Sequence, residues 1–209
     1  MSTTAKTYQQ IDRFARDLDS ETAHSVYDGA KSTSEKRYES LGRDYPDADK
    51  LRETAGLIKQ HTLEHLDQYL AQAEKSLTAN GAHVHFASSG KKANEIVLDI
   101  MQRNNCRKMV KSKSMISEET KVSEFLIEKG VECLETDLGE FIVQIDGDHP
   151  SHIVKPIMHK NRRQIARSFE REGLGDYNDD PETITRRARH FLRHKYLEAD
   201  CGLTGANFV

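Results

Sequence analysis

The sequence predicts an α/β fold: a mainly parallel sheet with helices, preceded by a long N-terminal helix. Three observations carry this. Short apolar runs alternate with helix-length amphipathic runs from residue 83 onward. Links between them are short, which suits strand-helix-strand units with parallel pairing. Ahead of them, residues 46–80 keep a three- and four-residue apolar spacing.

Residues 1–45 are polar and read as an N-terminal arm, partly helical. Tyr45-Pro46 marks a break, because a residue before proline avoids helical geometry. Over 46–80, Leu51, Ala55, Ile58, Thr62, Leu66, Tyr69, Ala73 and Leu77 line one helix face. Asn80-Gly81 ends that helix, with glycine supplying a left-handed stop. The third segment, 81–209, is the α/β domain. In it His83 to Ala87 reads as a strand, 91–104 as a helix and Arg107 to Lys111 as a second strand. Residues 117–129 read as a helix stopped by Gly130, and 131–136 as a third strand. Leu138, Phe141, Ile142 and Ile145 fit a helix face, while Phe141, Val143 and Ile145 fit a strand; the β-branched content favours the strand. A helix is expected from Pro156 to about Arg171. Another is announced by Asp180-Pro181 and runs to about Leu197. The tail "EADCGLTGANFV" reads as a glycine-rich turn leading into Asn-Phe-Val, cut just as another strand should begin, so the domain looks incomplete at its C-terminus.

Composition sets bounds. The chain has 209 residues, 31% of them charged, with a net charge of −3. That balance gives no global attraction to nucleic acid or to a membrane. No apolar run nears the roughly 18 residues of a membrane span, and "MSTTAKTYQQ" lacks the core of a signal peptide, so a cytoplasmic location is expected. Cys106, Cys133 and Cys201 are widely spaced, with no Cys-x-x-Cys pair and therefore no thiolate motif for a metal.

In a parallel sheet, ligands gather at the carboxyl ends of the strands. Three loops leave those ends: Ser88 to Gly90, Lys111 to Met115, and Thr136 to Glu140. "KSKSM" sets Lys111, Ser112, Lys113 and Ser114 before a helix start, where a carboxylate or phosphate finds cations and free amides. An ordinary solvated turn with a serine cap explains the same letters. Glu135, Thr136, Asp137 and Glu140 offer a general base or partners for a lysine; capping and turn roles are the plainer reading. His152 and His159 flank Pro156 near the same rim. The pairs His61/His65, His83/His85 and His190/His194 have metal-ligand spacing but no third ligand, so no metal is expected. The arginines of the last two helices lack interleaved aromatics, which favours a solvated face or a protein contact over nucleic acid.

Five runs, "IKQHTLEHLDQYL", "NGAHVHFA", "KMVKSKSMISEE", "ETDLGEFIVQIDGDHPSHIVKPIMHKNR" and "KYLEADCGLTGANF", together resemble the lactate utilization protein B family and its LUD domain. The resemblance covers roughly residues 50–209. It implies a three-layer sandwich similar to the sugar-phosphate isomerase and CoA-transferase group. It implies a part in oxidising L-lactate to pyruvate, beside the other subunits of a lactate oxidation complex. A full-length member is expected to carry two four-iron, four-sulfur (4Fe-4S) clusters in a later ferredoxin-like segment. None of the three cysteines here matches a cluster ligand, so no cofactor is expected in this chain, which reads as a truncated scaffold and docking portion. An open sheet edge makes a homodimer reasonable. The alternative is an enzyme-like or sensory domain that binds a small carboxylate or phosphate at the strand rim. Run by run, the resemblance adds Gly202, Thr204 and Gly205 to the rim candidates.

Overall fold

The computed structural model describes residues 18–150 and 155–205, together with Arg13 and Arg16. It is an α/β structure preceded by helices. Helix α1 spans Ser20–Asp44, α2 Ala48–Glu64 and α3 Leu66–Ala79. The α/β body follows: α4 (Gly90–Arg103), β1 (Lys108–Lys111), α5 (Met115–Glu119), α6 (Val122–Glu128) and β2 (Glu132–Glu135). It continues with α7 (Leu138–Asp146), α8 (Arg162–Arg171), α9 (Pro181–Glu198) and β3 (Cys201–Leu203).

Among the described residues the sheet has three strands in the order β2-β1-β3, all parallel. Lys111 pairs with Glu135 on one side and Leu203 on the other, so all three carboxyl ends lie at one rim. Asp200 fixes the opposite end, accepting from the Arg107 and Lys108 amides at 2.7 and 2.9 Å. Each sheet face carries its own apolar layer. Met109 and Cys133 pack with Met101 of α4 and with Val122 and Leu126 of α6. Alternation along a strand sends the next residues to the other face. There Leu134 meets Phe141, Ile142, Ala166, Phe169, Ile184 and Ala188 of α7, α8 and α9. Helix, sheet and helix make three layers.

Several expected elements differ. The single helix over 46–80 is two helices broken at His65, whose ψ is 27° and whose ring Nδ1 bonds the His61 carbonyl at 2.9 Å. Neither half buries a residue, so no packing holds the junction straight. Gly81 does adopt the left-handed stop, with φ 87°. The polar arm contains α1, capped by Asp19, whose carboxylate accepts from the Thr22 amide at 2.8 Å. This helix meets the body at Gly29, where an added Cβ would stand 2.8 Å from Met158, and at Glu21, which accepts from Asn161 at 2.6 Å.

His83 to Ala87 forms no strand; β1 is flanked by β2 and β3, and Phe86 stays exposed. Residues 117–129 split into α5 and α6 at Lys121, held left-handed at φ 53°. The ambiguous stretch 138–146 is helix, not strand. Asp137 starts it by accepting from the Gly139 and Glu140 amides, and Gly147 closes it at φ 64°.

The helix expected from Pro156 begins instead at Arg162, because Asn161 and Gln164 form a complete capping box. Asn161→Ala should lower stability by about 1 kcal/mol, read as a shifted urea midpoint at unchanged slope. Pro156→Ala should leave α8 in place. The Asp180-Pro181 start of α9 stands as expected, whereas Cys201–Leu203, expected within a glycine-rich turn, forms β3.

Candidate functional site

The rim is a single place. Thr136 donates from its amide and its hydroxyl to the Lys111 carbonyl, at 2.9 and 3.0 Å, joining β2 to β1. The Ser112 amide donates to the Leu203 carbonyl at 2.9 Å, and Ser112 Oγ lies 3.2 Å from Thr204 Oγ1, joining β1 to β3. Gly205 passes so near Ser114 that an added Cβ would stand 2.5 Å from its Oγ. Gly202 sits within β3 opposite Val110. The lysine-serine corner, the acidic corner and the tail thus meet, as the strand order requires.

Their chemistry divides between surface and interior. Lys111 is fully buried, since alternation points it to the face covered by α4 and α6. Its ammonium donates to Ser117 Oγ at 2.9 Å and Glu118 Oε1 at 3.0 Å, and it pairs with Glu135. Its three protons match these three acceptors, so Lys111 is structural and no grip for an anion at the rim. Lys113 is the exposed lysine, 3.6 Å from buried Glu140. Ser114 is buried and caps α5, and Asp137 caps α7. His159 Nε2 lies 3.2 Å from Asp148 Oδ2. His152 lies outside the described residues.

Burial opposes charge on both members of the Lys111–Glu135 pair. For Lys111, the two carboxylates outweigh it and its pKa stays raised. For Glu135, burial dominates over the pull of Lys111, and nearby Glu118 and Glu140 add to it; its pKa is pushed up to about 7. Glu135 Oε2 is buried without a hydrogen-bond partner among the described residues.

Two features escaped sequence reasoning. Glu118 reaches Lys111 from α5; only its place four residues after Ser114 hinted at that. A second network joins Asp146 to Lys160, Arg171 and Ser168, at 2.6, 2.5 and 2.9 Å, with Lys160 also 2.6 Å from Asp148. Burial raises the pKa of both aspartates, but Lys160 leads the hydrogen bonds that bring them below the usual carboxylate range. The Asp-Gly-Asp run after an apolar helix was the available signal.

The cysteines, far apart in sequence, gather on one sheet face: Cys133 is buried there and Cys106 and Cys201 pack against the same cluster. Among the described residues, no group of three His, Cys, Asp or Glu is placed to hold a metal. Burial pushes the Cys201 thiol up to about 11 and the Cys133 thiol also up. Two of the histidine pairs have their rings in contact, His61 with His65 tilted at 4.3 Å and His190 with His194 edge-on at 4.7 Å between ring centroids. Among the described residues no helix is long and apolar enough to cross a membrane.

The chain is 39% identical over 199 residues to lactate utilization protein B of Bacillus subtilis (strain 168), covering 95% of this chain and 42% of that protein. It is 46% identical over 159 residues to lactate utilization protein B of Bacillus cereus (strain AH820), covering 76% of this chain and 33% of that protein. The chain therefore spans less than half the length of these relatives. No solved structure matches it. The LUD domain model matches residues 70–209, a stretch that holds every strand and the whole rim, and the chain belongs to the LUD domain family.

Proposed function

We propose that this chain is the scaffold and docking portion of a lactate-utilization iron–sulfur protein, within a complex that oxidises L-lactate to pyruvate. The observation that carries this reading is the likeness to lactate utilization protein B across 95% of the chain, N-terminal helices included. The rim chemistry supports it. Lys111, Ser114, Thr136 and Asp137 are spent on strand registry and helix caps, as suits a rigid platform. Electron transfer would fall to parts of the longer relatives that this chain does not span. The purified chain, mixed with the companion subunits of a lactate-utilization system, should be retained with them on an affinity column. Alone it should be colourless and leave lactate unchanged. Failure to retain any companion, or a broad visible band in anaerobically purified protein, would contradict this.

A second reading has its own observation: Lys113, Ser112, Thr204 and Gly205 come together at the exposed rim. A small carboxylate or phosphate bound there would stabilise the native state by mass action. Lactate, pyruvate or phosphate should then raise the melting temperature, and Lys113→Ala should abolish the rise. No rise with any of the three removes this reading.

A further inference from the structure

A cavity of about 610 Å³ lies between α9 and the loop that follows α8, within the size range in which small molecules bind. Lys195 and Glu198 of its wall pair with Glu132 and Lys108, the first residues of β2 and β1. The cavity therefore stands towards the amino ends of the strands, away from the rim. Its wall is positive: Arg186, Arg187 and Lys195 face a single carboxylate, Glu198. The outside partners, Glu132 and Lys108, cancel one another. Two formal positive charges remain, and His190 and His194 of the same wall add N–H donors. Arg186 is exposed and makes no ion pair among the described residues. Asp180, which feels its charge, is held capping α9 through the Thr183 amide.

Arg187 is held in place by the loop. Its Nη1 donates to the Asp176 carbonyl at 2.5 Å, and a Cβ on Gly175 would stand 2.7 Å from its Cζ. Gly175, at φ 126°, lets the loop close on the guanidinium because it has no Cβ. That bond uses one of five N–H donors. Leu174 and Phe191 give the wall an apolar part.

We propose that this cavity binds a phosphate monoester with an aromatic or apolar body. Such an ester carries about two negative charges at neutral pH and three acceptor oxygens, which match the two unbalanced cations. Guanidinium forks bind phosphate bidentately, and the body lies on Leu174 and Phe191. Lactate brings a single charge and no such body. The site is thus separate from the rim reading and goes beyond the scaffold role.

Phenyl phosphate is the probe, titrated calorimetrically into the whole chain, with benzoate, inorganic phosphate and sodium chloride at equal ionic strength beside it. It should bind saturably and raise the melting temperature, and benzoate and inorganic phosphate should bind more weakly. Arg186→Gln, which leaves the loop intact, should weaken binding about tenfold. Arg187→Lys keeps the charge but loses the fork, and should also weaken it. Lys113→Ala, at the rim, should change nothing. Absence of saturable binding would overturn the proposal. So would equal affinity for benzoate or inorganic phosphate, or full affinity in either arginine variant. Loss of binding in Lys113→Ala would also overturn it, by moving the site to the rim.

Discussion

Lys111→Met should lower the unfolding free energy by about 3–5 kcal/mol, a large share of the roughly 5–15 kcal/mol a domain possesses. The cause is what remains. Glu135 is buried beside Glu118 and loses its cation, and an unpaired buried charge costs more than its pair ever contributed. The double variant Lys111→Met with Glu135→Leu should recover most of the loss, because a packed apolar pair of similar volume replaces two desolvated ions. Urea unfolding of the four proteins in the cycle measures the coupling. A double variant as unstable as the single would show that the lysine acts through something other than this pair.

The same cluster sets a pH dependence. Glu135 has a native pKa of about 7, above its ordinary 4.5. The native state therefore holds that proton more tightly than the unfolded chain. Its contribution is complete below pH 4.5 and is lost as pH rises through 7, on the order of 3 kcal/mol in all. Asp146 and Asp148 act in the opposite sense, with native pKa values below 3.8, and lose their contribution only in stronger acid. Between pH 5 and 7 the original protein should grow less stable as pH rises, and Glu135→Gln should flatten that slope. An unchanged slope would remove Glu135 as its source.

Phe141→Ala should cost about 3–5 kcal/mol. Phe141 is 1% exposed and meets Phe169 of α8 edge-on at 6.3 Å and Phe191 of α9 at 5.4 Å between ring centroids. Truncation opens a cavity where three helices converge on the sheet, and helices held from several sides cannot collapse into it. The urea midpoint should fall while the slope stays constant. A loss below about 1 kcal/mol would mean that α7 does not key α8 and α9 to the sheet.

Phe141 also shows where local reading runs out. Residues 138–146 satisfy both periods, and their β-branched content leans towards a strand. What decides is the Asp137 cap at one end, the left-handed Gly147 at the other, and apolar neighbours on α8 and α9. Pro156 misled for the same reason: it suits a first turn, but the reciprocal bonds of Asn161 and Gln164 fix the start at Arg162. His83 to Ala87 has strand composition and lacks an edge to join. At the rim, the sequence located Lys111, Glu135 and their loops together, yet could not say which lysine faces water. Lys111 differs from Lys113 only by being the last ladder residue of β1, and that register turns it inward.

The sequence by itself determined the class of fold, β1 and β2, the limits of α4 and α9 and the meeting of the lysine-serine and acidic loops at one rim; the third expected loop, Ser88 to Gly90, leaves no strand, and the tail after β3 takes its place. Those follow from periodicity, caps and the one-way sense of a parallel sheet, all readable over a few neighbouring residues. Only the tertiary structure decided that Lys111 is buried, that Glu118 reaches it, that Glu135 keeps an oxygen without a donor, and that three distant cysteines share one face. Burial and ion pairing are set by which elements lie across from one another, and residues far apart in the chain carry no local mark of that partner.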